Sequence, residues 1–177
     1  SIRPIYSEKI FSGKKRVELR RLRPSVHAGD LVLVYTSSPS CELSGAFVVR
    51  GVDASTPEKL WTKVRRACGL SRRQYDDYYR GSKKAYGIKI ERAWRLDVPL
   101  KLACLRKRSA RFHPPQSYRY LAPGELGTLM PTLTARGLLL AQGTRAGDTT
   151  RKAPIAGSVV RQKCGTSEDF LRHAILP

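Results

Sequence analysis

Acidic side chains are scarce. Asp and Glu number 14 against 34 Lys and Arg in 177 residues, which leaves a net charge of +20 and an isoelectric point near 10.4. A field of that sign and size favours a polyanion, either nucleic acid or an anionic membrane surface. No apolar run approaches the length of a membrane span, and no basic-then-apolar leader opens the sequence, so no membrane partner is expected. Cysteine is limited to Cys41, Cys68, Cys104 and Cys164, without a C-x-x-C pair. That argues against a zinc ribbon and against a secreted disulfide scaffold, and makes a reducing cytoplasm the expected location. The three histidines, His27, His113 and His173, are isolated in sequence, and neither metal nor cofactor is expected. A P-loop, a dinucleotide fingerprint, an H-E-x-x-H helix and a nucleophile elbow are all missing.

Aromatics run out towards the C-terminus. Of the 14, only Phe170 lies beyond Leu121. The first 121 residues hold 27 basic and 10 acidic side chains, a net +17, against +3 for the remainder. Residues 1–121 therefore read as one folded domain. Residues 122–177, dominated by Gly, Thr, Ala and Pro, read as a loosely ordered extension with a short terminal helix near Phe170 to Ile175. The Leu138-Leu139-Leu140 run is the one stretch of that tail suited to an exposed sheet edge.

Within the domain, Pro4 suits a first helical turn, and Ile5, Tyr6, Ile10 and Phe11 recur at helical spacing, with Gly13 as the cap. Val17–Leu22, Asp30–Thr36, Leu43–Val52 and Lys83–Trp94 read as strands, with Gly45 marking a bulge or a close backbone approach. Thr56-Pro57-Glu58 and Ser71 each start a helix. The second carries Tyr75, Tyr78 and Tyr79 on one face, which core packing explains better than base stacking. A short helix is expected within Pro99–Arg106, and Gln116–Leu121 reads as a closing strand with Tyr118 and Tyr120 on one face and Arg119 on the other.

The stretch Ser12 to Arg23 (SGKKRVELRRLR) organises the rest. Val17 and Leu19 alternate with Arg16, Glu18 and Arg20, giving an apolar and a charged strand face. Periodicity alone makes the charged face solvated. Further basic groups at Arg65-Arg66, Arg72-Arg73, Lys83-Lys84 and Arg106 to Arg111 fit a surface that tracks phosphates.

Gly13, Lys15, Glu18 and Arg20 form a G-x-K-x-x-E-x-R pattern. It resembles the signature of ASCH domains, small β-barrels related to the PUA group of RNA-binding modules. The similarity continues through AGDLVLVYTSSP, LSGAFVV, PEKLW, SRRQYDDYYRGSKKAYGIKI and FHPPQSYRYL, covering Ser1 to about Leu121. The resemblance implies an α+β fold, a PUA-like β-barrel with peripheral helices. It also implies a short apolar strand ahead of Ser1, whose absence would leave an incomplete barrel edge. The family cleft implies RNA as partner, with Lys15, Arg16, Glu18, Arg20, Gln116, Tyr118 and Arg119 as binding residues and a regulatory role in translation or transcription. An alternative is a hydrolase acting on acetylated cytidine or RNA, with Lys15 as base or nucleophile and Glu18 shuttling the proton. Members of the amidohydrolase type carry a threonine near the position of Glu18, so this chain departs from them. A third reading is an interaction module for an acidic protein.

Overall fold

The structure is a computed structural model that describes residues 1–110, 112–114, 118–129 and 173–176. Helix α1 (Pro4–Phe11) begins on Pro4 and ends at Ser12, where Gly13 takes a positive φ of 74° and turns the chain towards β1 (Val17–Arg20). Strands β2 (Leu31–Thr36) and β3 (Glu42–Ser55) follow. Helices α2 (Pro57–Val64) and α3 (Arg72–Tyr79) come next, each capped as the sequence suggests. The Thr56 hydroxyl accepts from the Lys59 amide, and Ser71 and Gln74 form a reciprocal capping box. Strand β4 (Ala85–Lys101), α4 (Leu102–Arg108), β5 (Arg119–Leu121), α5 (Pro123–Leu129) and β6 (His173–Leu176) complete the order.

All six strands form one sheet in the order β1-β4-β3-β2-β6-β5. The long β3–β4 pairing is its spine. Among the described strands only β2 and β6 pair in parallel, and an isolated parallel bridge joins Ile2 to Thr36. The fold is α+β, as expected, but the sheet is open and does not close into a barrel: among the described residues no ladder joins β1 to β5. The reason lies at β1. Its outer edge is occupied by helical elements rather than a strand. The Tyr78 hydroxyl donates to the outward-facing Leu19 carbonyl at 3.1 Å, while the Tyr79 hydroxyl lies 3.1 Å from the carbonyls of both Arg20 and Tyr86, at the end of the β1–β4 ladder. The amides of Arg16 and Val17 both donate to the Ala67 carbonyl, at 2.7 and 3.1 Å. With those groups satisfied, β1 offers little for a closing strand to pair with.

The expected closing strand shortens to Arg119–Leu121 and pairs with β6. In place of a terminal helix, His173–Leu176 forms strand β6, seated between β2 and β5. The edge of β2 therefore receives a strand from the tail, at a different place from the Leu138–Leu140 run, which lies outside the described residues. Helix α5 also joins the domain: Leu126 and Leu129 pack with Leu31, Leu33, Tyr35 and Phe112 on one face of the sheet. The opposite face packs Ile2 and Ile10 against Val32, Val34, Phe47 and Ile88. A third cluster clamps α2 and α3 onto β1 through Leu60, Val64, Tyr75 and Tyr79. Gly45 marks a close approach. A Cβ there would lie 2.3 Å from the Trp94 carbonyl oxygen and 2.4 Å from the Phe11 ring, so α1 can reach the sheet only over a glycine.

Candidate functional site

The charged face of β1 is buried, not solvated. Lys15 is 3% exposed, Glu18 7% and Arg20 9%. Glu18 lies between two cations: its Oε2 is 3.2 Å from Lys15 Nζ and its Oε1 is 3.0 Å from the Arg20 guanidinium. Buried charges must be paired and hydrogen-bonded to be tolerated, and this triad meets that demand. Lys15 Nζ also donates to the Cys68 carbonyl at 2.8 Å, while Lys9 Nζ donates to the adjacent Gly69 carbonyl at 2.6 Å. Both ammonium groups stand 5.7 Å from the centroid of the Tyr6 ring, within range of cation–π attraction.

Lys15, Glu18 and Arg20 line one cavity of about 640 Å³. Its floor and mouth add Arg3 and Tyr6 from the start of the chain and Arg21 after β1. Helix α3 supplies the facing wall with Gln74, Asp77 and Tyr78. The Arg21 guanidinium lies 5.3 Å from the Tyr78 ring centroid. Burial raises the Tyr78 hydroxyl above the ordinary tyrosine range, against a smaller opposing effect of Arg20. Tyr75 and Tyr79, by contrast, are core residues, as their helical spacing suggests. Cations on one side and an amide, a carboxylate and an aromatic edge on the other suit a ligand that is anionic at one end and planar and polar at the other.

The other residues named from sequence do not reach this cavity. Arg16 is exposed. Its amide and that of Val17 share one acceptor, so extended alternation begins only at Val17, and Lys15 replaces Arg16 as Glu18's second cation. Tyr118 and Tyr120 do share a face, with ring centroids 5.8 Å apart, but their hydroxyls donate to the Arg23 and Ser25 carbonyls on the loop after β1. Arg119 points the other way, 2.5 Å from Glu125 and over the Phe112 ring. Gln116 lies outside the described residues. Sequence reasoning missed Tyr6, Gln74, Asp77 and the Cys68-Gly69 carbonyls. Carbonyls leave no trace in residue type, and Tyr6 looks like any apolar helical position. No group of His, Cys, Asp or Glu able to hold a metal occurs among the described residues, and no helix there is long and apolar enough to cross a membrane.

An open mixed sheet carrying a buried Lys-Glu-Arg triad in a G-x-K-x-x-E-x-R frame defines the class. The chain belongs to the ASCH domain family, whose model matches residues 1–102. It is 31% identical over 130 residues to an ASCH domain-containing ribonuclease of Zymomonas mobilis, covering 73% of this chain and 87% of that protein. The crystal structure of ASCH from Zymomonas mobilis superposes with a TM-score of 0.69 at 29% identity, over 74% of this chain and 92% of the other. The structure of a single-residue variant of that protein gives 0.69 at 28%, over 74% and 95%.

Proposed function

We propose that the cavity lined by Lys15, Glu18 and Arg20 binds RNA, with the two cations holding a backbone phosphate. The observation that carries this reading is the burial of the triad in a concave site of a strongly basic chain. Cations held rigidly by a shared carboxylate are pre-organised for an anion and lose little side-chain freedom on binding. Exposed Arg3 and Arg21 at the mouth extend the phosphate contacts to neighbouring nucleotides. Affinity of this kind falls with salt, by about 0.7 log units in K per log unit of salt for each phosphate neutralised on a single strand. Anisotropy titrations of a labelled single-stranded RNA over a salt series test it. Wild type should show a slope of about −2 to −3, and Arg21→Ala should reduce the slope by about 0.7. An affinity indifferent to salt removes the phosphate mode. An acidic polypeptide that competes as well as RNA at equal charge would favour the protein-interaction alternative.

A second reading, RNA cleavage, is favoured by the similarity to the ASCH domain-containing ribonuclease of Zymomonas mobilis. In that reading Glu18 accepts the proton of a ribose 2′-hydroxyl as its oxygen attacks phosphorus. The bond to the 5′ oxygen breaks, and Lys15 protonates that leaving oxygen while Arg20 balances the charge building on the phosphoryl oxygens. Product analysis of RNA incubated with wild type, Lys15→Ala and Glu18→Gln discriminates: cleavage abolished by both substitutions supports the assignment, and cleavage unaffected by them places it elsewhere.

A further inference from the structure

A carboxylate on the wall of a cationic cavity needs a reason. Asp77 is in the last turn of α3, where a negative charge opposes the helix dipole, and that turn carries no basic residue. Its Oδ1 meets the Arg80 guanidinium, an exposed i,i+3 pair of the kind that contributes little to stability. Three positions earlier on the same face, Gln74 also lines the cavity. The Ser71 amide donates to Gln74 Oε1 at 3.0 Å, and a backbone N–H requires an acceptor, so the amide is oriented with its NH₂ group as the free end. The α3 wall of the cavity that Lys15 and Arg20 also line therefore presents an amide donor and a carboxylate, whose Oδ1 also meets Arg80.

We propose that this wall reads guanine in single-stranded RNA, a refinement that rests on the RNA-binding reading above. A carboxylate accepts two parallel N–H bonds, and among the four bases only guanine carries two adjacent donors, N1–H and the 2-amino group, on its pairing edge. Its O6 acceptor lies next to them and meets the Gln74 NH₂. Adenine, cytosine and uracil each give the carboxylate a single donor. Because the pairing edge must be free, the strand is unpaired at this nucleotide. Its phosphate reaches the Lys15–Arg20 side of the same cavity, and the Arg21 guanidinium flanks the base.

The test uses short labelled oligouridylates carrying one central G, inosine, A or U, titrated by anisotropy against the full chain. The G oligomer should bind about tenfold more tightly than the A or U oligomers, with inosine, which lacks the 2-amino group, in between. Asp77→Asn should bring the G oligomer to within about twofold of the U oligomer titrated against the same variant. Arg80→Ala, which removes only the exposed partner, should keep the G preference; its loss there would mean that the ion pair is structural and would overturn the proposal. Equal affinity for all four oligomers in wild type overturns the guanine assignment alone. No binding of any oligomer overturns the RNA reading beneath it. A 5′-GMP affinity equal to that of the G oligomer would make a free nucleotide, rather than a strand, the ligand.

Discussion

Lys15 and Cys68 are 53 residues apart, and the lysine ammonium donates a 2.8 Å hydrogen bond to the cysteine's backbone carbonyl. The loop between α2 and α3 thus orients the cation, and Gly69 makes the approach possible. Gly69 has a φ of 71°, and a Cβ there would lie 3.1 Å from Lys15 Cβ. Gly69→Ala should strain the backbone and displace the Lys15 stem, lowering stability by about 1–3 kcal/mol in urea denaturation and weakening RNA binding in parallel. An unchanged RNA affinity would show that the loop does not set the cation's position.

Glu18 shares its carboxylate between two buried cations, so removing it differs from removing either partner. Glu18→Ala should destabilise the domain by about 3–5 kcal/mol, the magnitude expected when a buried charge loses its counterion. Glu18→Gln keeps the side-chain volume and one acceptor oxygen but loses the charge and the second acceptor, and should cost less than Glu18→Ala. Parallel unfolding curves of the two variants check the order.

Buried tyrosines should make the protein sensitive to alkali. Burial, with a contribution from Cys41, pushes the Tyr35 hydroxyl up to about 12, and burial likewise raises Tyr75, Tyr78 and Tyr79. Unfolded tyrosines lose their protons near 10. Between that pH and the raised folded values the native state holds more protons than the unfolded chain, so stability is full below about 10 and falls as pH rises. Tyrosinate absorbance should therefore show Tyr35, Tyr75, Tyr78 and Tyr79 titrating late, with their appearance coinciding with loss of ellipticity. Simple titration of all eight tyrosines near the ordinary value would contradict this burial.

The folded unit is proposed to extend beyond Leu121, taking in α5 as well as strand β6. Leu129 is fully buried, and its carbonyl accepts from Arg108 at 2.6 Å. Leu129→Ala should cost about 2–5 kcal/mol. A chain ending after Leu121 should lose a comparable amount or more relative to one ending after Leu129, measured by thermal unfolding. Equal midpoints for the two truncations would restore the boundary at Leu121.

Much of the helical content was legible because it rests on local chemistry. Pro4, Thr56, Ser71 and Gly13 act within one or two turns of themselves. Gly45 was legible as a close approach, though not the identity of Phe11 above it. The solvated face expected for Glu18 and Arg20 failed because alternation reports two faces, not what covers them; here α3 and the chain start cover the charged one. Arg16 stands outside the buried triad because the strand begins one residue later than the pattern does. Barrel closure was misjudged for a related reason: the Tyr78 hydroxyl and the Ala67 carbonyl occupy the β1 edge from segments that periodicity marks only as apolar.

The parallel pairing of β2 with β6 has a kinetic consequence. Leu31 lies in register with His173, 142 positions further along, whereas β3 and β4 are near neighbours in sequence. Closing so long a loop costs more entropy than closing the β3–β4 connection, so β1 to β4 can assemble first and β6 dock last. Until it docks, the outer amides and carbonyls of β2 face solvent. In the finished molecule that edge should be the first part of the central sheet to exchange its amide hydrogens.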